Sequence, residues 1–213
     1  MREYGIDIGS VSLKLAEFDN DRLVRTRYIK HQGQPYDLLL EILRPARIDR
    51  LVLTGQLVKP LVDILGAIRI NEVEATANGV MHFNPSIKSI IEIGGEDSKL
   101  INMDGGIKDF ASNTICAAGT GIFLDQQARR LCYKIEDLGE VAMQSKNPAR
   151  IAGRCSVFAK SDMIHLQQIG TQPHDLVAGL CLALARNFRS VIAKGKKIQP
   201  PVAFVGGMPR INS

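Results

Sequence analysis

Two cysteines stand where a loop leads into a helix, which is a position that suits metal binding. Cys116 opens the segment Cys-Ala-Ala-Gly-Thr-Gly, and Cys155 comes directly before Ser-Val-Phe-Ala. Helices are predicted to begin at Gly121 and at Ser156, so both thiols lie close to the positive end of a helix dipole. That environment favours the thiolate, the form of cysteine that binds metals. The pattern predicts two metal ligands; two buried thiols or a redox pair are the alternatives.

Iron in an iron–sulfur cluster is the metal centre that these two cysteines favour. A zinc site is disfavoured because no histidine lies near either cysteine at the usual spacing. A cubane cluster takes about four thiolates, and a symmetric dimer would supply them by donating Cys116 and Cys155 from each subunit. The other two cysteines, Cys132 and Cys181, fall on apolar faces of predicted helices and are expected to be small core residues.

Two glycine-rich loops repeat one design, an acidic residue at a strand end followed by a glycine and then a lysine. They occupy residues 7–14 and 92–99. Backbone N–H groups and hydroxyls in such loops bind phosphate oxygens, and a carboxylate at the strand end can hold hydrated Mg²⁺. One glycine-rich turn is usually only a turn, but the repetition predicts a nucleotide site. The hairpin residues predicted to bind ATP are Asp7, which also holds the Mg²⁺ through water, Gly9, Ser10, Ser12, Lys14, Gly94, Gly95 and Lys99.

Four further residues complete the predicted nucleotide site. Gly206 and Gly207 follow a predicted strand and offer a flat surface, free of side chains, for the base or ribose. Glu96 and Asp97 in the second loop are the candidates for positioning the attacking water, and the sequence does not choose between them.

The four histidines have no carboxylate or cysteine neighbours that suggest a ligand set, and loop or helix-surface roles are expected for them.

The bulk properties indicate a globular α/β protein. A chain of 213 residues with 45% hydrophobic residues can form one large α/β domain or two small lobes, with enough material for a buried core. Trp is absent and the net charge is only +5, so a nucleic-acid surface is not expected. No apolar run is long enough to span a membrane, and the N-terminus has no signal-peptide pattern. A cytoplasmic location is therefore predicted.

The order of predicted elements indicates that one architecture occurs twice. Hairpin strands, a helix, a parallel strand and a further helix appear in the first half, and the second half repeats them with a larger helical insertion. This predicts a first lobe over residues 1–74 and a second over 75–213. A cleft between the lobes would receive the loops that follow the strands.

Three segments resemble a known family. They are I-G-G-E-D-S-K, C-A-A-G-T-G-I-F-L-D-Q-Q-A and R-C-S-V-F-A-K-S-D. They are similar to the ATPase activators of 2-hydroxyacyl-CoA dehydratases and benzoyl-CoA reductases, within the actin/Hsp70/sugar-kinase superfamily. The resemblance implies duplicated ribonuclease-H-like lobes and a homodimer that shares one [4Fe-4S] cluster through Cys116 and Cys155. It also implies that Gly119, Thr120 and Gly121 line the ATP cleft.

The same resemblance implies a function. The chain would hydrolyse ATP, receive an electron from a ferredoxin or flavodoxin, and pass it at low potential to a CoA-ester dehydratase or reductase partner. Glu96, Lys160 and Thr76 depart from the family, which commonly has Gln, an acidic residue and His there, and the family's C-terminal helix is expected to be absent. The alternatives are a small-molecule kinase of the amino-sugar type and a regulatory nucleotide-binding domain without hydrolysis.

Overall fold

The computed structural model describes residues 1–113, 119–153 and 155–208. The chain divides into two compact units, Met1–His82 and Phe83–Ser213. Within the described ranges, no helix has the length and apolarity needed to cross a bilayer.

The first unit is built on a five-stranded mixed sheet. Strands β1 (Arg2–Ile8), β2 (Ser12–Asp19) and β3 (Arg22–Lys30) are antiparallel, while β4 (Arg50–Thr54) and β5 (Ile68–Arg69) add parallel strands beyond β1. The spatial order is β3-β2-β1-β4-β5. Alternate residues of β1, namely Tyr4, Ile6 and Ile8, are buried, because successive side chains of a strand point to opposite faces.

Helices connect and cover this first sheet. They are α1 (Pro35–Leu43), α2 (Val62–Leu65) and α3 (Glu72–Phe83), which extends one residue into the second unit. Pro35 occupies the first helical position of α1, where its missing N–H is not needed, and Leu39 and Ile42 of that helix are buried. The short α2 is capped by Gly66, which adopts a left-handed conformation.

The second unit repeats the central part of this topology. Strands β6 (Ser89–Ile93), β7 (Ser98–Met103) and β8 (Ile107–Ser112) are antiparallel, and β9 (Val202–Gly206) lies parallel to β6. The order β8-β7-β6-β9 matches β3-β2-β1-β4 strand for strand. The prediction of an α/β fold with a duplicated architecture is confirmed.

Four helices form most of the second core, and Phe123, Leu124, Met163, Val177 and Leu180 are fully or almost fully buried in it. The helices are α4 (Gly121–Arg130), α5 (Leu138–Met143), α6 (Ser156–Gln168) and α7 (Pro173–Asn187), which continues as a π-helical turn over Phe188–Ile192.

The prediction that Cys132 is a core residue is wrong. The helix α4 ends at Arg130, so Cys132 lies in the following turn with φ of 62° and is exposed. Cys181 lies within α7 and is partly buried, and this burial raises the pKa of its thiol.

Candidate functional site

The first glycine-rich loop is the tight turn between β1 and β2. The Gly9 N–H donates to the Ser12 carbonyl at 3.1 Å and closes the turn. Asp7 and Lys14 face each other in the strand register, and Lys14 Nζ lies 2.9 Å from Asp7 Oδ2. A Cβ placed on Gly9 would lie 2.9 Å from the same ammonium. The loop therefore brings a carboxylate, a lysine and a side-chain-free backbone together.

The second loop, between β6 and β7, has the same layout. The Gly94 N–H donates to the Asp97 carbonyl at 2.8 Å, and Glu92 faces Lys99 in the register. Lys99 Nζ lies 2.8 Å from Asp97 Oδ2 and 3.7 Å from Glu92 Oε2.

Burial distinguishes the two loop lysines. The Lys99 side chain is 6% exposed, against 40% for Lys14. Lys99 is therefore held inside the second unit by two carboxylates, while Lys14 is accessible to a ligand. The neighbouring Glu96 is exposed, whereas Asp97 is bound to the buried lysine.

A glycine at the end of the parallel strand supports each loop. Gly55 follows β4 with φ of 110°, and Gly206 ends β9 with φ of 101°. A Cβ on Gly55 would overlap the carbonyl of Ile8, and one on Gly206 would overlap that of Ile93. These two positions are equivalent in the duplicated topology. Gly55 was missed in the sequence, although its place directly after an apolar strand matches that of Gly206.

The groups available to hydrated magnesium lie at the ends of β1 and β4. Asp7 pairs with Thr54 in the parallel register, and the Asp7 side chain is 35% exposed. Thr54 Oγ1 is buried and has no hydrogen-bond partner within the described residues. An accessible carboxylate beside an unsatisfied hydroxyl fits a cation that is bound through water.

His31 braces the first loop, although the sequence suggested only a loop or surface role. It follows β3 directly and is 7% exposed. Its Nε2 lies 3.0 Å from the Gly9 carbonyl oxygen, and its Nδ1 accepts the Gly33 N–H at 3.2 Å. His31 therefore lies in a loop, which is one of the two roles expected, but it is buried there because the end of β3 lies beside the turn that precedes β2.

The N-terminus of α4 is joined directly to the second loop. The N–H groups of Gly121 and Ile122 donate to the carbonyls of Gly94 and Gly95, both at 2.8 Å. These contacts satisfy two of the N–H groups that a helix leaves unpaired at its start. The Gly121 N–H is consequently bonded to the second loop already.

The residues just before α4 also contact the second hairpin. The Ser98 hydroxyl donates to the Gly119 carbonyl at 2.6 Å, and Thr120 is completely buried. The structure thus brings the predicted residues Gly119, Thr120 and Gly121 to the loop that contains Gly94 and Gly95.

Of the two predicted cluster ligands, Cys155 can be described, and Cys116 lies outside the described residues. Cys155 is the N-cap residue of α6, as predicted, with φ of −134° and a partly buried side chain. Val157 and Phe158 in the first turn of α6 are each 66% exposed.

Polar side chains hold the segment that precedes Cys155. Asp162, in the second turn of α6, accepts the Ala152 N–H at 2.8 Å. Arg186 donates to the Ile151 carbonyl at 2.9 Å, and Asn187 Nδ2 donates to the Gly153 carbonyl.

Asn187 also touches the segment that follows Cys116. A Cβ on Gly119 would lie 2.7 Å from Asn187 Oδ1. One buried amide, 2% exposed, therefore contacts backbone close in sequence to both predicted ligands. No pattern in the sequence marks Asn187, because its partners Gly119 and Gly153 are distant along the chain.

Within the part of the chain that the structure describes, no group of three or more His, Cys, Asp or Glu side chains could hold a metal ion. Cys155 is a free thiol there. A partly accessible thiol at a helix N-terminus is a suitable donor to an iron–sulfur cluster, and further ligands would have to include Cys116 or a second subunit.

Comparison with known proteins gives consistent likenesses. A model of the BadF/BadG/BcrA/BcrD ATPase family matches residues 4–212. The 2-hydroxyisocaproyl-CoA dehydratase activator of Clostridioides difficile is 36% identical over 144 residues, which cover 67% of this chain and 54% of that protein. The aligned region therefore spans about half the length of that curated relative.

Two solved structures resemble the fold over almost the whole chain. The C. difficile activator with bound ADPNP has a TM-score of 0.89 at 33% identity, covering 99% of this chain and 81% of that one. Component A of the (R)-2-hydroxyglutaryl-CoA dehydratase of Acidaminococcus fermentans has a TM-score of 0.88 at 28% identity, covering 99% and 85%.

Proposed function

Since this chain belongs to the BadF/BadG/BcrA/BcrD ATPase family, we propose that it is an ATP-hydrolysing activator that passes a low-potential electron to a CoA-ester dehydratase or reductase. The observation that carries this proposal is the matched pair of hairpins, each with a facing carboxylate and lysine, the second of which is bonded to the N-terminus of α4. The class of partner protein is taken from the relatives, which are an activator and a component of CoA-ester dehydratases.

In this proposal the first hairpin binds the phosphates and the magnesium ion. The exposed Lys14 supplies positive charge, the Gly9–Ser12 turn supplies N–H and hydroxyl donors, and Asp7 holds Mg²⁺ through water. Magnesium, when bound, neutralises charge on the phosphate oxygens. Lys99 acts differently from Lys14, since it is buried against Asp97 and orders the second loop.

Glu96 is the better placed of the two candidates for positioning the attacking water. Asp97 already accepts from the buried Lys99, whereas the Glu96 side chain is exposed and can reach a ligand. We therefore expect Glu96→Ala, which leaves no side chain to hold the water, to abolish most phosphate release while ATP still binds. A Glu96→Ala variant that releases phosphate at the unsubstituted rate would assign the role to Asp97 instead.

The proposed cluster is held by Cys116 and Cys155 from each of two subunits, with a ferredoxin or flavodoxin as the upstream electron donor. When bound, the cluster supplies a site for one electron at low potential. The exposed Val157 and Phe158 beside Cys155 support the proposal that a second subunit covers this end of α6.

A chain of direct contacts supports coupling between nucleotide and cysteines. The second loop bonds to α4 through Gly94 and Gly95, and Ser98 bonds to Gly119. Asn187 then bridges Gly119 and Gly153. A change in the second loop on hydrolysis would therefore reach both cysteine-bearing segments.

Anaerobic purification followed by iron and sulfide analysis tests the redox part of the proposal. We expect about four irons and four sulfides per two chains, with an absorbance that bleaches under dithionite. Cys155→Ser should lose them, and the matched control Cys132→Ser, at an exposed turn, should keep them. Equal iron in both variants would reject Cys155 as a ligand.

Phosphate release in the absence of any acceptor separates the ATPase from the alternatives. The proposal predicts release from ATP alone. Release only when an amino sugar is added would identify a kinase, and ATP binding without any release would identify a regulatory domain.

A further inference from the structure

His31 is held between the first loop and the segment that follows β3. Ser12 pairs with Lys30 in the antiparallel register of β2 and β3, so the residue after Lys30 lies beside the β1–β2 turn. The His31 N–H donates to the Val11 carbonyl at 3.2 Å, and the ring Nε2 lies 3.0 Å from the Gly9 carbonyl oxygen. Backbone and ring therefore both contact the turn.

The two ring contacts define the tautomer of His31. The Gly9 carbonyl can only accept, so Nε2 carries the hydrogen. The Gly33 N–H can only donate, so Nδ1 is the acceptor. Both ring nitrogens of a neutral imidazole are thus satisfied in a position that is only 7% exposed.

The bond to the Gly9 carbonyl has a consequence for the next N–H. A trans peptide is planar, and its C=O and N–H point in opposite directions. Holding the Gly9 carbonyl toward His31 therefore turns the Ser10 N–H away from His31. Without this bond the Gly9–Ser10 peptide of a tight, partly exposed turn can rotate.

We propose that His31 is a positioning residue that fixes the Gly9–Ser10 peptide so that the Ser10 N–H donates to a phosphate of the bound nucleotide. This inference rests on the proposed nucleotide site. It adds to that site a side chain that does not touch the ligand and acts only through the loop backbone. The Gly9 contact is the important one, and the Gly33 contact serves to orient the ring.

Two substitutions separate the contacts. The amide of Gln reaches about as far as Nε2 and can donate to the Gly9 carbonyl, while Asn reaches only as far as Nδ1 and can bond only on the Gly33 side. We expect His31→Gln to bind ATP within about threefold of the unsubstituted protein, and His31→Asn to bind it about tenfold more weakly, the factor that one lost hydrogen bond gives.

Adenosine provides the control that separates a positioning role of His31 from a purely structural one. Because adenosine has no phosphate, its affinity, measured by competition with a fluorescent ATP analogue, should be the same in both variants. A general loss of structure would weaken adenosine and ATP by the same factor. If only one variant folds, the ratio of its ATP affinity to its adenosine affinity is compared with the same ratio in the unsubstituted protein.

Two results would overturn this inference and leave the proposed function standing. They are equal ATP affinity in His31→Asn and His31→Gln, and a fall in adenosine affinity that matches the fall for ATP. If the unsubstituted protein binds no ATP, the proposed function fails first and this inference fails with it.

Discussion

Replacing each loop lysine by methionine tests how differently the two hairpins hold their charges. Lys14→Met and Lys99→Met remove the same ammonium from the same register position opposite a carboxylate. The surroundings differ, since the Lys14 side chain is 40% exposed and that of Lys99 is 6% exposed. Methionine keeps most of the side-chain volume, so the loss of charge dominates.

The expected magnitudes follow from this exposure. An ion pair as exposed as Lys14–Asp7 contributes about 0–1 kcal/mol, because water screens it. Removing one partner of a buried pair costs about 3–5 kcal/mol, because the other charge stays buried. Asp97 and Glu92 are themselves 23% and 17% exposed, so we expect about 2–4 kcal/mol for Lys99→Met.

Urea unfolding followed by circular dichroism measures both losses. With a slope of about 2 kcal/mol per molar, Lys99→Met should shift its transition by about 1–2 M and Lys14→Met by less than about 0.5 M. Adding Asp97→Asn to Lys99→Met should recover part of the loss, since it removes a carboxylate that is left unpaired. Equal shifts for the two lysine variants would refute the reasoning from burial.

Three further substitutions test the first unit. The pKa of Glu17 is lowered: burial opposes ionisation, but the hydrogen bond from Tyr4 and the charge of Arg25 outweigh it. The ionised Glu17 therefore stabilises the folded protein. This stabilisation is present above about pH 4.3, the ordinary pKa of a glutamate, and is lost as the pH falls through the lower pKa that Glu17 has in the folded protein. Glu17→Gln should therefore lower the free energy of unfolding by about 1–2 kcal/mol at pH 7. It should also make stability fall less steeply toward acid pH, and an unchanged fall would contradict this role of Glu17. Gly55→Ala combines a positive φ with a clash on the Ile8 carbonyl and should cost about 2–4 kcal/mol. Gly66→Ala, which has a positive φ but open space, should cost about 1 kcal/mol, and equal losses in urea unfolding would show that the clash is unimportant.

The parts of the site that the sequence predicted are those that depend on local pattern. A strand, a glycine and a returning strand lie next to one another along the chain, so both hairpin loops could be predicted from residues 7–14 and 92–99. The start of α6 directly after Cys155 was predicted for the same reason. The family resemblance is confirmed by the family model that matches residues 4–212. It could be recognised from the sequence because it rests on contiguous motifs.

The residues that were missed act over long separations. His31 reaches Gly9 across 22 positions, and Asn187 reaches Gly153 across 34. No local pattern marks such contacts, since they depend on which strand ends and helix ends meet. The error at Cys132 has a different origin, because helical periodicity does not show that α4 ends at Arg130.

The central claim is that the nucleotide state changes the environment of the cysteines. The direct measurement is the rate at which a chelator removes iron from the anaerobic protein, with saturating ATP analogue and with saturating ADP. We expect different rates with the two nucleotides, and a smaller difference in Asn187→Ala, which loses the bridge between the two cysteine-bearing segments. Equal rates, with both nucleotides shown to bind, would contradict it.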